Sequence, residues 1–346
     1  MPFNDPEFNA LLALSAEVGA DPSLVQAAGG NTSIKNDGLM WIKASGTWLM
    51  HALQKDIMVP VQMEPLLRAV ESGDPAAEKA QQFVPEELNS DALRPSIETT
   101  VHLVLPQRIV VHVHCVETIA FAIRQDCNSQ LAERLEGFNW ISVPYVKPGL
   151  TLSQTIQQSL QVDTDVIVLG NHGLVVAAET VSEARDLLQR TCAALRQGAR
   201  AYRDPDLPGL DTWMQGTDYR LPEFHEAHTV ACDPVSLSVA SGGSLYPDHV
   251  IFLGAGSVVV SPEVPLVTAL ENLGDTGFPS PVSVLCTGYG VVMRADATAG
   301  QQAMAQCLSD VCRRVPENSL IHYLSDDDNA ALLNWDAEKY RQALNQ

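Results

Sequence analysis

Apolar residues recur along this chain with two periods, and the alternation between them marks out its elements. In residues 6–19, Phe8, Leu11, Leu12, Leu14 and Val18 fall at helical spacing. From residue 24 to 49 the pattern shortens to strand length. It predicts a strand, a turn at Asn36-Asp37-Gly38, a second strand and a Ser-Gly turn within Ala44–Thr47. A further strand is expected at Ile57–Val61, and the acidic, proline-containing run Glu71–Glu87 reads as solvated. Arg94-Pro95-Ser96-Ile97-Glu98 then leads into a helix through Leu105, with Ser96 as its expected N-cap and Pro106 as its stop. Arg108–Phe121 (RIVVHVHCVETIAF) reads as a buried strand running into a helix over 117–125. A short strand at Trp140–Val143 and a helix at Ser153–Leu160 follow. Next come two apolar strands around Gly170-Asn171-His172-Gly173, and a helix from Ser182, the expected cap, to Arg203. Strands interleaved with helices in this way predict an α/β class.

Residues 204–224 are rich in Pro, Gly and Asp and read as a linker or domain boundary. Beyond them the pattern repeats. VLGNHGLVVAAE (168–179) aligns without gaps on LCTGYGVVMRAD (285–296), placing Tyr289 where His172 stands, and each is followed by a helix. The expected organisation is a domain over residues 1–210 and a smaller α/β unit over 225–346.

Charge narrows the class of partner. The chain of 346 residues has 42 acidic against 21 basic residues, a formal net charge of −21. That argues against nucleic acid or an anionic membrane surface, both of which need a basic footprint. An anionic substrate would need a local positive centre such as a metal ion. The N-terminal sequence lacks the positive flank and apolar run of a signal peptide, and no apolar run reaches membrane-spanning length. Seven cysteines without a C-x-x-C pair read as free thiols of a cytoplasmic protein, mostly filling the core.

The candidate chemistry centres on His112 and His114. Two residues apart on a strand, their side chains leave the same face. They form either half of a metal site or a packed histidine followed by an exposed one. Glu98 sits in a first helical turn, where a carboxylate is also at home as cap chemistry; His102, one helical turn on, reads as a packing or supporting residue. His172 lies at a strand turn, facing whatever the strand ends face. Gly29–Ser33 and Ala44–Thr47 are small, polar and rich in backbone donors, serving either as plain turns or as anion cradles. Three weaker motifs carry no site. His225-Glu226-Ala227-His228 lacks zincin spacing, Gly254-Ala255-Gly256-Ser257 precedes a strand rather than a helix, and Asp326-Asp327-Asp328 reads as a solvated turn or a helix start.

Four segments occur in a familiar order: Gly30-Asn31-Thr32-Ser33, Lys43-Ala44-Ser45-Gly46, Pro95-Ser96-Ile97-Glu98 followed by His112-Val113-His114, and Asn171-His172-Gly173. Over about residues 8–203 the chain thereby resembles the class II aldolase/adducin family. Pro247-Asp248-His249-Val250-Ile251 and the closing stretch Asn334–Tyr340 further resemble the end of the aldolase half of bifunctional rhamnulose-1-phosphate aldolase/alcohol dehydrogenases, whose dehydrogenase half has no counterpart here. The resemblance implies a three-layer α/β/α domain around a mainly antiparallel sheet, assembled as a homotetramer. It makes His112, His114 and His172 ligands of a zinc ion or another divalent metal, and Glu98 the catalytic acid/base. Gly30, Asn31, Ser45, Gly46 and Ser96 match positions that hold a substrate phosphate. Related sugar-phosphate aldolases often carry Ser where Ile97 stands, and related 4-epimerases carry Asp where Glu98 stands. The implied activity is a metal-dependent aldehyde-lyase acting on a sugar-type substrate, with decarboxylase, epimerase, dehydratase and a non-catalytic adducin-like scaffold as alternatives.

Overall fold

The computed structural model describes residues 5–274 and 280–335. Its chain groups into two units, one made of the stretch up to Thr118 with Asn128–Arg196, the other of Ile119–Cys127 with the chain from Gln197 onward. The elements up to residue 196 are α1 (Pro6–Gly19), β1 (Asn31–Asn36), β2 (Leu39–Lys43), β3 (Met58–Gln62), α2 (Met63–Ser72), α3 (Thr99–Val104), β4 (Ile109–Val113), α4 (Val116–Ala122), α5 (Cys127–Arg134), β5 (Trp140–Val143), α6 (Leu150–Ser159), β6 (Val166–Leu169), β7 (Gly173–Ala178) and α7 (Val181–Ala194).

Their strands form a seven-stranded sheet in the order β3-β2-β1-β4-β7-β6-β5, antiparallel at every pairing but β5–β6. The β1–β2 hairpin turns at Asp37 and Gly38, both at positive φ, as the Asn-Asp-Gly signal requires. Every residue of β4 is buried, so this central strand is covered on both faces. On one face Val110, Val175 and Ala177 meet Leu66 and Val70 of α2, Val101 of α3 and Ile156 of α6. On the other, α1 and α7 pack against the sheet, with Phe8 edge-on to Trp41. This is the α/β/α layering of a mainly antiparallel sheet.

Local chemistry decides several element ends differently from the sequence pattern. Ser96 does not cap α3: that position belongs to Glu98, while the Ser96 hydroxyl accepts a bond from the Glu98 backbone N–H in a tight turn before the helix. Nor does Ser182 cap α7. Thr180 does, in a capping box with Glu183, and the helix ends at Ala194 rather than Arg203, with the poor helix former Gly198 close behind. Helix α6 begins at Leu150 rather than Ser153, and α5 occupies a stretch expected to be loop.

The second unit contains α8 (Leu207–Trp213), β8 (Tyr219–Arg220), α9 (Thr229–Cys232), α10 (Pro234–Ser241), α11 (Pro247–Leu253), β9 (Val258–Val260), α12 (Leu266–Gly274), β10 (Ser283–Cys286), β11 (Gly290–Arg294), α13 (Ala299–Cys312) and α14 (Asp326–Leu333). Its four-stranded sheet runs β8-β11-β10-β9. The stretch 204–224 is therefore not a bare linker. One of its three prolines, Pro208, sits in the first turn of α8, where the missing N–H costs nothing, and Asp206 caps that helix. Leu210, Trp213 and Tyr219 join Val284, Cys286 and Val292 in one apolar cluster.

The sequence echo is a structural repeat at constant offset. In the larger sheet Leu169 pairs Gly173 and Val143 pairs Leu169; in the smaller, Cys286 pairs Gly290 and Val260 pairs Cys286. The turn repeats too, with Asn171 and Gly288 both at positive φ and the N–H of His172 or Tyr289 closing onto the residue three before it. His228 is buried and its Nδ1 accepts from the Val291 N–H, a structural bond. Asp326–Asp328 form the first turn of α14, capped by Ser325. Of the closing stretch that matches the bifunctional enzymes, residues 336–340 lie outside the described residues. No helix among the described residues is long and apolar enough to cross a membrane.

Candidate metal centre

Three loops and one strand bring the site together. β1 lies beside β4 in a register that sets Asn31 opposite His112, so both side chains share a face. His114 follows the last residue of β4, and His172 comes from the β6–β7 turn. That turn must run close to β4: a Cβ at Gly173 would lie 2.5 Å from the Val113 carbonyl oxygen and 3.3 Å from Cε1 of His112. Gly30 is under the same constraint, with φ +59° and the His112 carbonyl oxygen 2.8 Å from where a Cβ would be.

Glu98, His112, His114 and His172 are all buried, and their ligand-type atoms lie within 4.8 Å of one another. Nε2 of His112 is 3.2 Å from Nε2 of His114. Oε1 of Glu98 is 3.4 Å from Nε2 of His112 and 3.3 Å from Nε2 of His172. Ligands at tetrahedral zinc distances stand roughly 3.3 Å apart, so these separations match a shared cation. Nδ1 of His112 lies 3.0 Å from the Leu174 carbonyl oxygen, which only an N–H can satisfy. With its proton on Nδ1, the neutral form of the ring presents the lone pair of Nε2 to its neighbours, the tautomer a metal ligand needs.

Asn31 fixes the carboxylate. Its Nδ2 donates to Oε2 of Glu98 at 2.7 Å and to Oγ of Ser96 at 3.2 Å. Burial pushes the Glu98 carboxyl up, yet His112, His172 and His114 with the Asn31 amide outweigh it and hold it at about 2. Oδ1 of Asn31 is buried without a hydrogen-bond partner. His102 stands outside the cluster, its Nδ1 2.7 Å from Oγ of Ser33, and burial holds its imidazole at about 3.

The two turns expected to cradle an anion are built around the site but are partly engaged. The Ser45 N–H donates to the Arg94 carbonyl, so this residue has its hydroxyl rather than its amide to offer. Ser96 accepts from both the Asn31 amide and the Glu98 N–H, which leaves its own hydroxyl proton to donate. The sequence pattern assigns no role to the Lys43 side chain. In the structure it is buried, and its Nζ donates to the Ala28 carbonyl at 2.8 Å and the Thr47 carbonyl at 2.7 Å, clamping one turn to the other. The signal for it is a lysine closing an otherwise apolar strand just before a Ser-Gly turn.

The profile of the Class II Aldolase and Adducin N-terminal domain matches residues 9–197. The uncharacterized oxidoreductase YuxG of Bacillus subtilis (strain 168) is 29% identical over 200 residues, 54% of this chain; the match spans 28% of that relative's length. The N-terminal class II aldolase domain of a conserved protein from Thermoplasma acidophilum is 26% identical with a TM-score of 0.48, covering 56% of this chain and 94% of that one. L-fuculose-1-phosphate aldolase from Thermus thermophilus is 20% identical with a TM-score of 0.35, over 54% and 92% respectively. With its profile matched over more than half its length, this chain belongs to the class II aldolase and adducin family.

Proposed function

We propose that this chain is a zinc-dependent aldehyde-lyase that cleaves a ketose phosphate or a related sugar-derived substrate by retro-aldol chemistry. The observation that carries the reading is the buried convergence of three imidazoles on one carboxylate whose second oxygen is held by Asn31. A divalent cation on His112, His114 and His172 would supply Lewis-acid stabilisation of the enediolate charge that carbon–carbon cleavage leaves. Glu98 starts ionised and desolvated, and so takes and returns the proton at the enediolate carbon. Asn31 keeps Oε2 fixed and leaves Oε1 toward the histidines and the substrate. Gly30, Gly46 and the hydroxyls of Ser45 and Ser96 bind the far end of the substrate.

Decarboxylation or epimerisation would use the same residues, and Ile97 stands where related sugar-phosphate aldolases often supply a hydroxyl donor. A screen therefore includes ketose phosphates and unphosphorylated hydroxy-acids. The acidic net charge supports a small-molecule rather than a nucleic-acid partner, and seven free thiols support a reducing cytoplasm. Assembly as a homotetramer completes the reading, and light scattering reads it directly. The decisive test is metal content by elemental analysis. About one zinc per chain is expected in the wild type and none in the His112→Ala/His114→Ala variant. No metal in either protein after zinc is supplied would replace the enzyme reading with a scaffold one.

A further inference from the structure

Six of the seven cysteines are buried; Cys192, on α7, is the one with solvent exposure. It lines a cavity of about 290 Å³ together with Asp21, Ser23, Leu188 and Arg196. Its sulfur lies 3.9 Å from that of Cys115. Cys115 is buried at the β4–α4 junction and directly follows His114 in the chain. Two bonds tie the junction to the stretch before β1: the Val116 N–H donates to the Ser23 carbonyl at 2.9 Å, and Nε2 of Gln26 donates to the His114 carbonyl at 3.3 Å. The most accessible thiol of the protein thus touches a thiol adjacent to a metal-ligand candidate.

We propose that Cys115 and Cys192 form a peroxide-sensitive modification site whose disulfide loosens the grip of His114 on the metal, a regulatory reading that rests on the metal-site assignment above. Hydrogen peroxide oxidises the half-buried Cys192 thiol, which the cavity reaches, to a sulfenic acid with release of one water. The Cys115 sulfur then attacks the Cys192 sulfur, the S–O bond breaks, and a second water leaves with the Cys115 proton. Two thiols are oxidised and one peroxide is reduced to two waters. A disulfide needs its sulfurs about 2.05 Å apart, so the pair must close by roughly 2 Å. Because α7 packs on β4, that movement draws the β4–α4 junction toward the helix and takes the His114 backbone with it.

The test uses the full chain, reduced and loaded with zinc, then treated with hydrogen peroxide and returned with dithiothreitol. Peptide mass analysis is expected to show a Cys115–Cys192 disulfide, with two of the seven thiols lost and then recovered. Transfer of zinc to a chromogenic chelator should become roughly tenfold faster in the oxidised protein, the size of effect that displaced supporting groups have at metal sites. In Cys192→Ser, peroxide should form no disulfide and leave zinc transfer unchanged. Failure to find the cross-linked peptide would overturn the proposal while leaving the metal site intact, and so would a disulfide that leaves zinc transfer unaltered. Absence of zinc from the reduced protein would instead overturn the site assignment and the coupling with it, the thiol chemistry being scored separately by mass.

Discussion

Side chains that face one another across β1 and β4 set the chemistry, and single substitutions there have distinct signatures. Glu98→Gln keeps the shape of the carboxylate and its neighbours but not its basicity. It should retain zinc while turnover falls by about 10²–10⁴, the range that general acid–base groups contribute. Turnover at the wild-type rate in this variant would remove Glu98 from the mechanism. Asn31→Asp places a second carboxylate against Oε2 of Glu98, now 2.7 Å from the Asn31 amide. Two such groups cannot both stay ionised, so the Glu98 pair holds a proton to higher pH. The acid limb of the pH–rate profile should move up by about one unit or more; an unmoved limb would show that Glu98 is not the titrating group. Gly173→Ala drives a Cβ into the Val113 carbonyl and against His112, and elemental analysis should find it depleted of metal. The histidines were legible because a strand's period of two fixes their face. The Asn31–Glu98 bond was not, since it joins residues 67 apart and depends on the segment before α3 docking on the end of β2, where the Ser96 N–H donates to the Lys43 carbonyl. The Ser45 amide looked available because a turn sequence does not reveal that Arg94 already uses it.

At the scale of elements, hydrophobic period located strands and long helices well, while their ends followed local hydrogen bonding. Both Thr180 and Ser182 are plausible caps by residue type, and only the capping box with Glu183 distinguishes them. Thr180→Ala should therefore lower stability by about 1 kcal/mol, while Ser182→Ala leaves it nearly unchanged. Urea denaturation of the two variants checks this, and equal losses would mean the helix begins elsewhere. Helix α5 was illegible for a different reason. Its sequence, CNSQLAER, is mostly polar, and it is anchored by Leu131 within it and Leu135 just beyond, too few positions for a period to show. Helix α8 was hidden behind a proline and a glycine that normally mark loops but here occupy a first turn.

Across the whole chain, the repeated strand–turn–strand explains why a sequence echo reaches the second unit without its chemistry. Register and turn geometry recur, but the turn residue is Tyr289 rather than histidine. The two buried histidines of the second unit, His228 and His249, serve packing, and this has a measurable consequence. His249 is fully buried; its Nδ1 accepts from the Leu245 N–H and its Nε2 donates to the Gly256 carbonyl. Burial lowers its imidazole from 6.5 to about 4. The folded state therefore binds the proton later than the unfolded chain does. The neutral ring's contribution to stability is complete above pH 6.5 and drains away as the pH falls from 6.5 toward 4. His249→Gln preserves an acceptor and a donor at the same place but cannot titrate. Measured by urea denaturation of metal-free protein, wild type should lose about 2 kcal/mol more than the variant between about pH 6.5 and 4.5. The carboxylates common to both proteins cancel in that difference. Parallel pH profiles for the two proteins would show that His249 takes up its proton as readily in the folded state as in the unfolded one.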